Sequence, residues 1–328
     1  MLVSDLRNLI KNYTPEEKDK IIVELYKRVP KTVKENYDID NYISNIRENN
    51  KLSKEKKVLS VDDLFKEVRN FILCANNGLY ASPNKVIPKT QRSKWRFQAK
   101  KYYKDLNSIP ADSHEGAIAT DLLDSLFRVL STGSCYLTFS SFETFRAIQV
   151  SQRDFLETVM KRKLATGVNK EILESCASLL DIDYDPYELH ANVLLSFSSC
   201  LKTSDMRYLA IDVLKASVDK KKEKLTALKK DKKGSSHSIY ECEKSINYFV
   251  ECITYIYFDL CEIDKGIAYF HKNYIESNKE VKEYIILDWL DFYELYDFWI
   301  KEYEKHVNVG YRESLKEKYK ELLRKVGI

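Results

Sequence analysis

The stretch that decides the fold is Val61–Ala75, VDDLFKEVRNFILCA. Its apolar residues recur at intervals of three and four, which places them on one face of an α-helix. Ser60 precedes the pattern as a helix N-cap, because its side-chain oxygen can accept a hydrogen bond from one of the unpaired N–H groups of the first turn. The apolar face consists of Val61, Leu64, Phe65, Val68, Phe71, Ile72 and Ala75. The stretch therefore predicts an amphipathic helix with one face in a core.

Glycine is scarce in the rest of the chain. The 328 residues include 8 glycines, no two of them within sixteen positions of each other, whereas an average chain has about 7% glycine. Phosphate-binding loops and nucleophile elbows need clustered glycines, because only glycine allows close backbone approach or a positive φ without steric cost. The sequence thus excludes these sites in their usual form and argues against the common nucleotide-binding enzymes.

Amphipathic patterns continue on both sides of the deciding stretch. Upstream, Thr14 and Pro15 have the types expected at the N-cap and first position of a helix, and Pro30 marks its end. The apolar face of that helix consists of Ile21, Ile22, Leu25, Tyr26 and Val29. Downstream we predict helices over 114–131, 140–164, 168–181, 186–201, 204–230, 237–262, 264–277, 279–306 and 310–326. The predicted fold class is all-α, either a helical bundle or an irregular α-solenoid of paired antiparallel helices.

Two loop-like stretches suggest a division of the chain. Residues 76–90 and 108–113 are rich in Asn, Ser and Pro, which favour turns. We therefore expect an N-terminal helical module over 1–76, a basic-aromatic connecting segment over 77–113 and a helical array over 114–328.

Composition indicates a globular, soluble, cytoplasmic protein. Hydrophobic residues make up 44% of the chain and charged residues 32%, and the net charge of +4 is too small to imply a polyanion partner by itself. The N-terminus lacks the apolar core of a signal peptide, and no stretch near 18 apolar residues would span a membrane, so no membrane partner is expected. The seven cysteines include no CxxC pair, and we interpret all of them as small buried hydrophobes in a reducing cytoplasm.

The segment 85–104, KVIPKTQRSKWRFQAKKYYK, combines aromatics with eight Lys or Arg and no acid. A helix from about Ser93 would carry Arg96, Lys100 and Lys104 as a basic stripe whose like charges repel by a few tenths of a kcal/mol per pair. An external anion such as a phosphate would offset that repulsion, and Trp95, Phe97 or Tyr103 can stack on bases if they are exposed. The candidate anion or nucleic-acid residues are Lys89, Arg92, Lys94, Trp95, Arg96, Lys100, Lys101 and Lys104.

Other interpretations of this segment stay open. In one, an apolar stripe of Trp95, Ala99, Tyr102 and Leu106 docks into the core while the lysines are simply solvated. In another, the segment faces the acidic stretch 251–304, which has thirteen acids and five lysines. In a third, it binds an acidic protein or a lipid surface.

Apparent metal and catalytic motifs are incomplete. The stretch Asp181–Asp185 begins like a calcium loop, but Pro186 stands where glycine is required and Asn192 where glutamate is required. The five histidines, at 114, 190, 237, 271 and 306, form no pair with metal-ligand spacing on one helix. The acids at 288, 291, 294 and 297 fan across half a helix rather than converge. We assign no catalytic residue, metal ligand or cofactor, although an enzyme whose residues assemble in space stays open.

The helix pairs from about residue 168 to the end resemble helical-repeat proteins of the tetratricopeptide or HEAT kind. The resemblance lies in the alternation of helices and short loops; the W-x-x-L-G-x-x-Y and A-x-x-x-F pattern is not present, and no residue is carried over. It implies a binding surface. The functional prediction is a non-enzymatic helical scaffold that binds an unidentified protein or peptide, with RNA or DNA binding through 85–104 as the alternative.

Overall fold

The computed structural model describes residues 3–36, 39–44, 60–230 and 235–326. These ranges contain α-helices and short 3₁₀ turns but no strand, which confirms the all-α prediction; the choice between bundle and solenoid stays a prediction. No helix in them is both long and apolar enough to cross a bilayer. The helices are α1 (Val3–Ile10), α2 (Pro15–Arg28), α3 (Lys31–Asn36), α4 (Ile39–Ser44), α5 (Val61–Asn76), α6 (Lys89–Arg92), α7 (Trp95–Asn107), α8 (His114–Cys135), α9 (Thr144–Ile148), α10 (Gln152–Ala165), α11 (Lys170–Ala177), α12 (His190–Cys200), α13 (Ser204–Lys230), α14 (Ser236–Asp259), α15 (Ile263–Asn273), α16 (Lys279–Phe292), α17 (Tyr296–Lys305) and α18 (Glu313–Val326).

Residues 1–60 form one compact unit and residues 61–328 another. In the first unit, α2 begins with a capping box: Thr14 Oγ1 accepts the Glu17 N–H at 3.3 Å, and the Glu17 carboxylate accepts the Thr14 N–H at 2.8 Å. No residue of α2 is buried, so its predicted apolar face is not part of a core. Ile22 and Leu25, for example, are each 57% exposed.

The second unit begins with the helix that the deciding stretch predicts. Most of the predicted face of α5 is buried, including Val68 and Phe71, whereas Val61 is 39% exposed. The Phe71 ring lies 5.0 Å from that of Tyr80 and 5.5 Å from that of Tyr102 in α7. This aromatic packing joins α5 and the loop after it to the second unit. The division at residue 60 differs from the expected boundaries at 76 and 113, and the domain division stays a prediction.

The middle of the second unit is built from helices that pack on the next helix and on the next but one. The α10–α12, α11–α13 and α12–α14 contacts accompany the sequential α13–α14 and α14–α15 contacts. The stretch between the predicted helices 204–230 and 237–262 lies largely outside the described residues, because 231–234 fall in the gap.

Three helix predictions are corrected. The predicted helix 140–164 is split into α9 and α10, and the predicted helix 279–306 into α16 and α17. At each break a residue other than glycine adopts a left-handed backbone conformation: Gln149 has φ 59° and Glu294 has φ 55°. A right-handed α-helix cannot continue through such a residue. The predicted helix 186–201 begins only at His190, because residues 185–188 form a turn closed by the Glu188 N–H on the Asp185 carbonyl at 3.0 Å.

The cysteine interpretation is only partly correct. Five cysteines are buried, but Cys135 and Cys261 are exposed. Cys135 is the last residue of α8, and its Sγ lies 3.3 Å from the Tyr184 carbonyl oxygen. Cys261 has φ 59° between α14 and α15, so it lies at a turn rather than within a packed helix face.

Candidate functional sites

The aromatic side of the basic segment belongs to the core. Trp95 is 1% exposed, its ring stacks on Phe139 at 4.3 Å, and its indole N–H donates to Ser140 Oγ at 3.2 Å. Stacking of Trp95 on a nucleic-acid base is therefore excluded in this conformation. Ala99, Tyr102 and Leu106 are buried on the same stripe, whereas Phe97 is 63% exposed.

Arg92 is occupied by its own loop. Its guanidinium donates from Nε to the Ile87 carbonyl at 3.0 Å and from Nη2 to the Asn84 carbonyl at 3.1 Å. The Asn84 side chain in turn accepts the N–H groups of Val86 and Ile87. Arg92 thus holds the chain before α6, which explains its place in the sequence without an external anion.

The other candidate cations lie at the surface. Lys89, Lys94, Arg96, Lys101 and Lys104 are exposed and Lys100 is half-buried. We call Arg96, Lys100 and Lys104 the basic face of α7, because residues four apart lie on the same side of a helix. In the described part of the chain, the eight cations of 85–104 make one ion pair, from Lys101 Nζ to Asp105 Oδ2 at 3.9 Å. The acidic stretch 251–304, described throughout, supplies no ion pair to them.

A groove of about 640 Å³ adjoins the basic face. Lys100 Nζ donates a hydrogen bond to the Gln149 side-chain oxygen, and Gln149 is one of the residues that line the groove. Phe145 and Val150 contribute its apolar lining, while Tyr187 and Leu189 are 68% and 73% exposed. We call this cavity the Tyr187 groove. The positive φ of Gln149 ends α9 beside the groove.

The carboxylates of the Tyr187 groove are engaged by backbone N–H groups. Glu188 accepts from the N–H groups of Gln152 at 3.0 Å and Arg153 at 3.4 Å, at the N-terminus of α10. Asp185 accepts from the Tyr187 N–H at 3.0 Å. Burial raises the pKa of both carboxyl groups above their ordinary values, against the lowering effect of these N–H donors. The groove therefore offers a ligand few unsatisfied acceptors.

A second site lies near the C-terminal end, where two histidines and two glutamates meet. His271 Nε2 lies 2.6 Å from Glu302 Oε1, and His306 Nδ1 lies 3.0 Å from Glu283 Oε2 and 3.1 Å from Glu302 Oε1. The distance from His271 Nδ1 to Glu283 Oε1 is 3.7 Å. One ligand atom from each side chain can be chosen so that all four lie within 4.8 Å of one another. We call these four residues the His–Glu cluster.

The two glutamates of the cluster are equally buried, with Glu283 5% and Glu302 4% exposed, but the pKa values of their carboxyl groups are shifted in opposite directions. Burial raises the pKa of Glu283, more than the neighbouring histidines lower it. Burial would also raise the pKa of Glu302, but the hydrogen bond from His271 and the nearby charges of His271, Lys305 and His306 hold it below its ordinary value. Glu302 is therefore the better-stabilised anion of the two.

Two buried atoms of the cluster have no hydrogen-bond partner among the described residues. They are Glu283 Oε2 and His306 Nδ1, which lie 3.0 Å apart without the alignment that a hydrogen bond requires. Buried polar atoms are nearly always paired, so each such exception calls for a physical explanation.

The break at Glu294 creates the cluster and explains why the sequence did not reveal it. In one continuous helix over 279–306, Glu283 and Glu302 would lie about 28 Å apart at 1.5 Å per residue. In the structure, α16 and α17 are separate helices packed on each other, and α15 supplies His271. Only Glu302 and His306, four residues apart, give a local signal in the sequence.

The remaining candidates serve local structure. Asp181 binds Lys221 Nζ at 2.8 Å and accepts from Ser245 Oγ at 2.8 Å, so the calcium-like stretch has other partners. Ser113 Oγ accepts the Gly116 N–H at 2.9 Å, which makes His114 the first residue of a capped helix. The half-buried His190 places Nε2 3.0 Å from Oε2 of the buried Glu251, and no second histidine contacts this pair among the described residues.

Comparison with known proteins adds no family to these observations. No protein-family model, curated protein or solved structure matches the chain. The likeness to helical-repeat proteins stays a prediction from the alternation of helices and loops.

Proposed function

We propose that the protein is a helical interaction scaffold that binds an acidic peptide segment of a protein partner across the Tyr187 groove and the basic face of α7. The observation that carries the proposal is the Lys100–Gln149 hydrogen bond, which makes the cationic and apolar surfaces continuous.

The apolar half of the surface supports a protein ligand. Tyr187 and Leu189 are mostly exposed to water, whereas Glu188 between them is half-buried. Burying such side chains on binding is favourable by about 25 cal/mol per Å² of apolar area. Tyrosine also contributes a polar tip and is enriched among residues that dominate binding energy.

The charged half of the surface favours a negatively charged ligand. Arg96 and Lys104 make no ion pair in the described part of the chain, and Arg146 at the groove pairs there only with the half-buried Glu143, at 3.5 Å. Such a surface pair contributes little and is easily exchanged for another carboxylate. Because the groove's own acids are satisfied by backbone N–H groups, an acidic segment meets cations without strong opposing charge.

The proposal can be tested with peptides of known sequence. A random peptide library displayed on phage is selected on the purified protein, and enriched peptides are measured by fluorescence anisotropy. We expect enrichment of acidic peptides with apolar side chains, and at least about tenfold weaker binding by Lys100→Glu/Lys104→Glu and by Leu189→Ser, a loss of about 1.4 kcal/mol.

The matched control is Lys220→Glu/Lys224→Glu, which reverses two exposed lysines with the same spacing on α13. It should bind the selected peptides like the unchanged protein. Equal losses in control and test variants, or selected peptides without acidic residues, would contradict the proposal.

A nucleic acid is the second candidate, favoured by one observation. Phe97 is 63% exposed beside the Arg96 guanidinium, whose carbon lies 4.9 Å from the ring centroid, so a base has a ring and a cation to stack on. A labelled RNA of about 20 nucleotides would bind with strong salt dependence. Its binding should weaken in Phe97→Ala and persist in Leu189→Ser, the reverse of the outcome for a peptide.

A further inference from the structure

We propose that His271, Glu283, Glu302 and His306 form a closed binding site for a divalent transition-metal ion, with zinc as the ion of choice. The site stands apart from the proposed peptide surface and does not depend on it.

The donor set suits such an ion. Two imidazoles and two carboxylates supply the nitrogen and oxygen ligands that zinc takes at about 2.0–2.2 Å. Tetrahedral ligands at that range lie roughly 3.3 Å from one another. With one ligand atom taken from each side chain, the four atoms lie within 4.8 Å of one another, so modest side-chain movements separate the present arrangement from a coordinating one.

The unpaired atoms point to a missing partner. Glu283 Oε2 and His306 Nδ1 are buried, close together and without a hydrogen bond. A cation between them would satisfy both lone pairs at once, whereas a proton can satisfy the pair only through an aligned bond. It would also neutralise two carboxylates held in a small buried volume, where like charges repel strongly.

The surroundings favour a structural ion over a catalytic one. Lys305 Nζ lies 3.6 Å from Glu302 Oε2, which leaves Glu302 Oε1 directed at the histidines. With four protein ligands, a tetrahedral ion has no open position for water or substrate. The histidine side chains are 22% and 27% exposed, which gives the ion a route of entry from the surface. The bound ion would join α15, α16 and the end of α17.

The test uses the full chain, stripped with EDTA and dialysed. Zinc chloride is titrated by calorimetry, and cobalt(II) is added separately to read tetrahedral coordination from its visible absorption. We expect one zinc ion per chain, a rise in Tm with zinc and a tetrahedral cobalt spectrum. Second-ligand-shell changes already weaken metal binding by about 10–100-fold, so loss of a ligand in His306→Gln or Glu283→Gln should weaken it at least about a hundredfold.

His190→Gln is the matched control, because it removes a histidine beside the equally buried Glu251, outside the cluster. It should retain zinc binding, and circular dichroism of every variant checks that the fold is intact. His306→Gln changes a partly exposed side chain, so a folded variant is available even if Glu283→Gln unfolds. No stoichiometric binding by the unchanged protein, binding that survives in the folded cluster variants, or equal loss in His190→Gln would overturn the proposal.

Discussion

The basic face of α7 and the His–Glu cluster both concentrate ionisable groups, but they handle charge in opposite ways. The basic face leaves Arg96 and Lys104 in water, where screening weakens the repulsion between their charges, and only Lys100 is half-buried. The cluster removes two carboxylates from water and compensates them with histidines at 2.6–3.7 Å. The first arrangement suits a reversible macromolecular ligand, and the second suits an ion that remains bound.

The two regions nevertheless share one structural device. Gln149 beside the groove and Glu294 before α17 each interrupt what the sequence predicts as a single helix, and each has a positive φ. The interruption at Gln149 lies beside the Tyr187 groove and Lys100, and that at Glu294 folds α17 back onto α16. In both regions, a locally unfavourable backbone conformation positions the side chains of interest, a pattern associated with functional sites.

The largest expected effect is a difference in the free energy of unfolding between variants of the buried Trp95 and the exposed Phe97 in the basic segment. Trp95→Ala should lower the free energy of unfolding by about 4 kcal/mol, because it removes a fully buried ring stacked on Phe139. Phe97→Ala is the control and should change it by less than about 0.5 kcal/mol, since Phe97 is mostly in water. Urea unfolding followed by circular dichroism measures both. Similar losses in the two variants would mean that α7 does not present one buried and one exposed side.

A smaller effect distinguishes the glutamates of the cluster by pH. The pKa of Glu302 is lower in the folded protein than its ordinary value, so its contribution to stability is complete above that ordinary value, near pH 4.5, and is lost as the pH falls through the folded pKa. In EDTA, Glu302→Gln should cost on the order of 1–2 kcal/mol at pH 7, and the cost should shrink toward pH 3. Glu283 has the opposite sign: its raised pKa means that protonation stabilises the fold and that this gain is lost as the pH rises through its folded pKa.

Urea midpoints for the unchanged protein and Glu302→Gln, measured at several pH values between about 7 and 3, give the comparison. Lys104→Gln serves as the control, because it removes an exposed charge that lies outside the cluster. A gap between the unchanged protein and Glu302→Gln that stays constant with pH would show that Glu302 is not held as a stabilised anion.

Local patterns in the sequence were sufficient for the helical class and for separating an apolar stripe from a basic stripe on α7. The i, i+4 spacing puts Trp95 and Ala99 on one side and Arg96 and Lys100 on another, but it left open whether Trp95 lies in the core, where the structure places it. The partners of a side chain were not predictable in the same way. Nothing near Lys100 in sequence indicates Gln149, and nothing near His271 indicates Glu302, because both contacts depend on where a neighbouring helix stops.

The ends of α9 and α16 could not be recognised in the sequence, because glutamine and glutamate are ordinary helix residues. A glycine at 149 or 294 would have been read as a helix end, since glycine is the usual residue in the left-handed conformation there. The predicted helices 140–164 and 279–306 therefore each span two helices of the structure. The missed cluster is a direct result, because it exists only where α17 begins as a separate helix.

The smallest expected effect tests this shared device. Glu294→Gly should raise the free energy of unfolding by about 0.5–1 kcal/mol, because glycine adopts φ 55° without the steric cost that a side chain incurs. Glu317→Gly, at an exposed position inside α18, should instead lower it by about 1 kcal/mol. The same replacement in two helical neighbourhoods is thus expected to have opposite signs, as measured by thermal and urea unfolding. If Glu294→Gly destabilised the protein as much as Glu317→Gly, residue 294 would lie inside a continuous helix. In that case α17 would not fold back onto α16, and Glu302 and His306 would not reach Glu283.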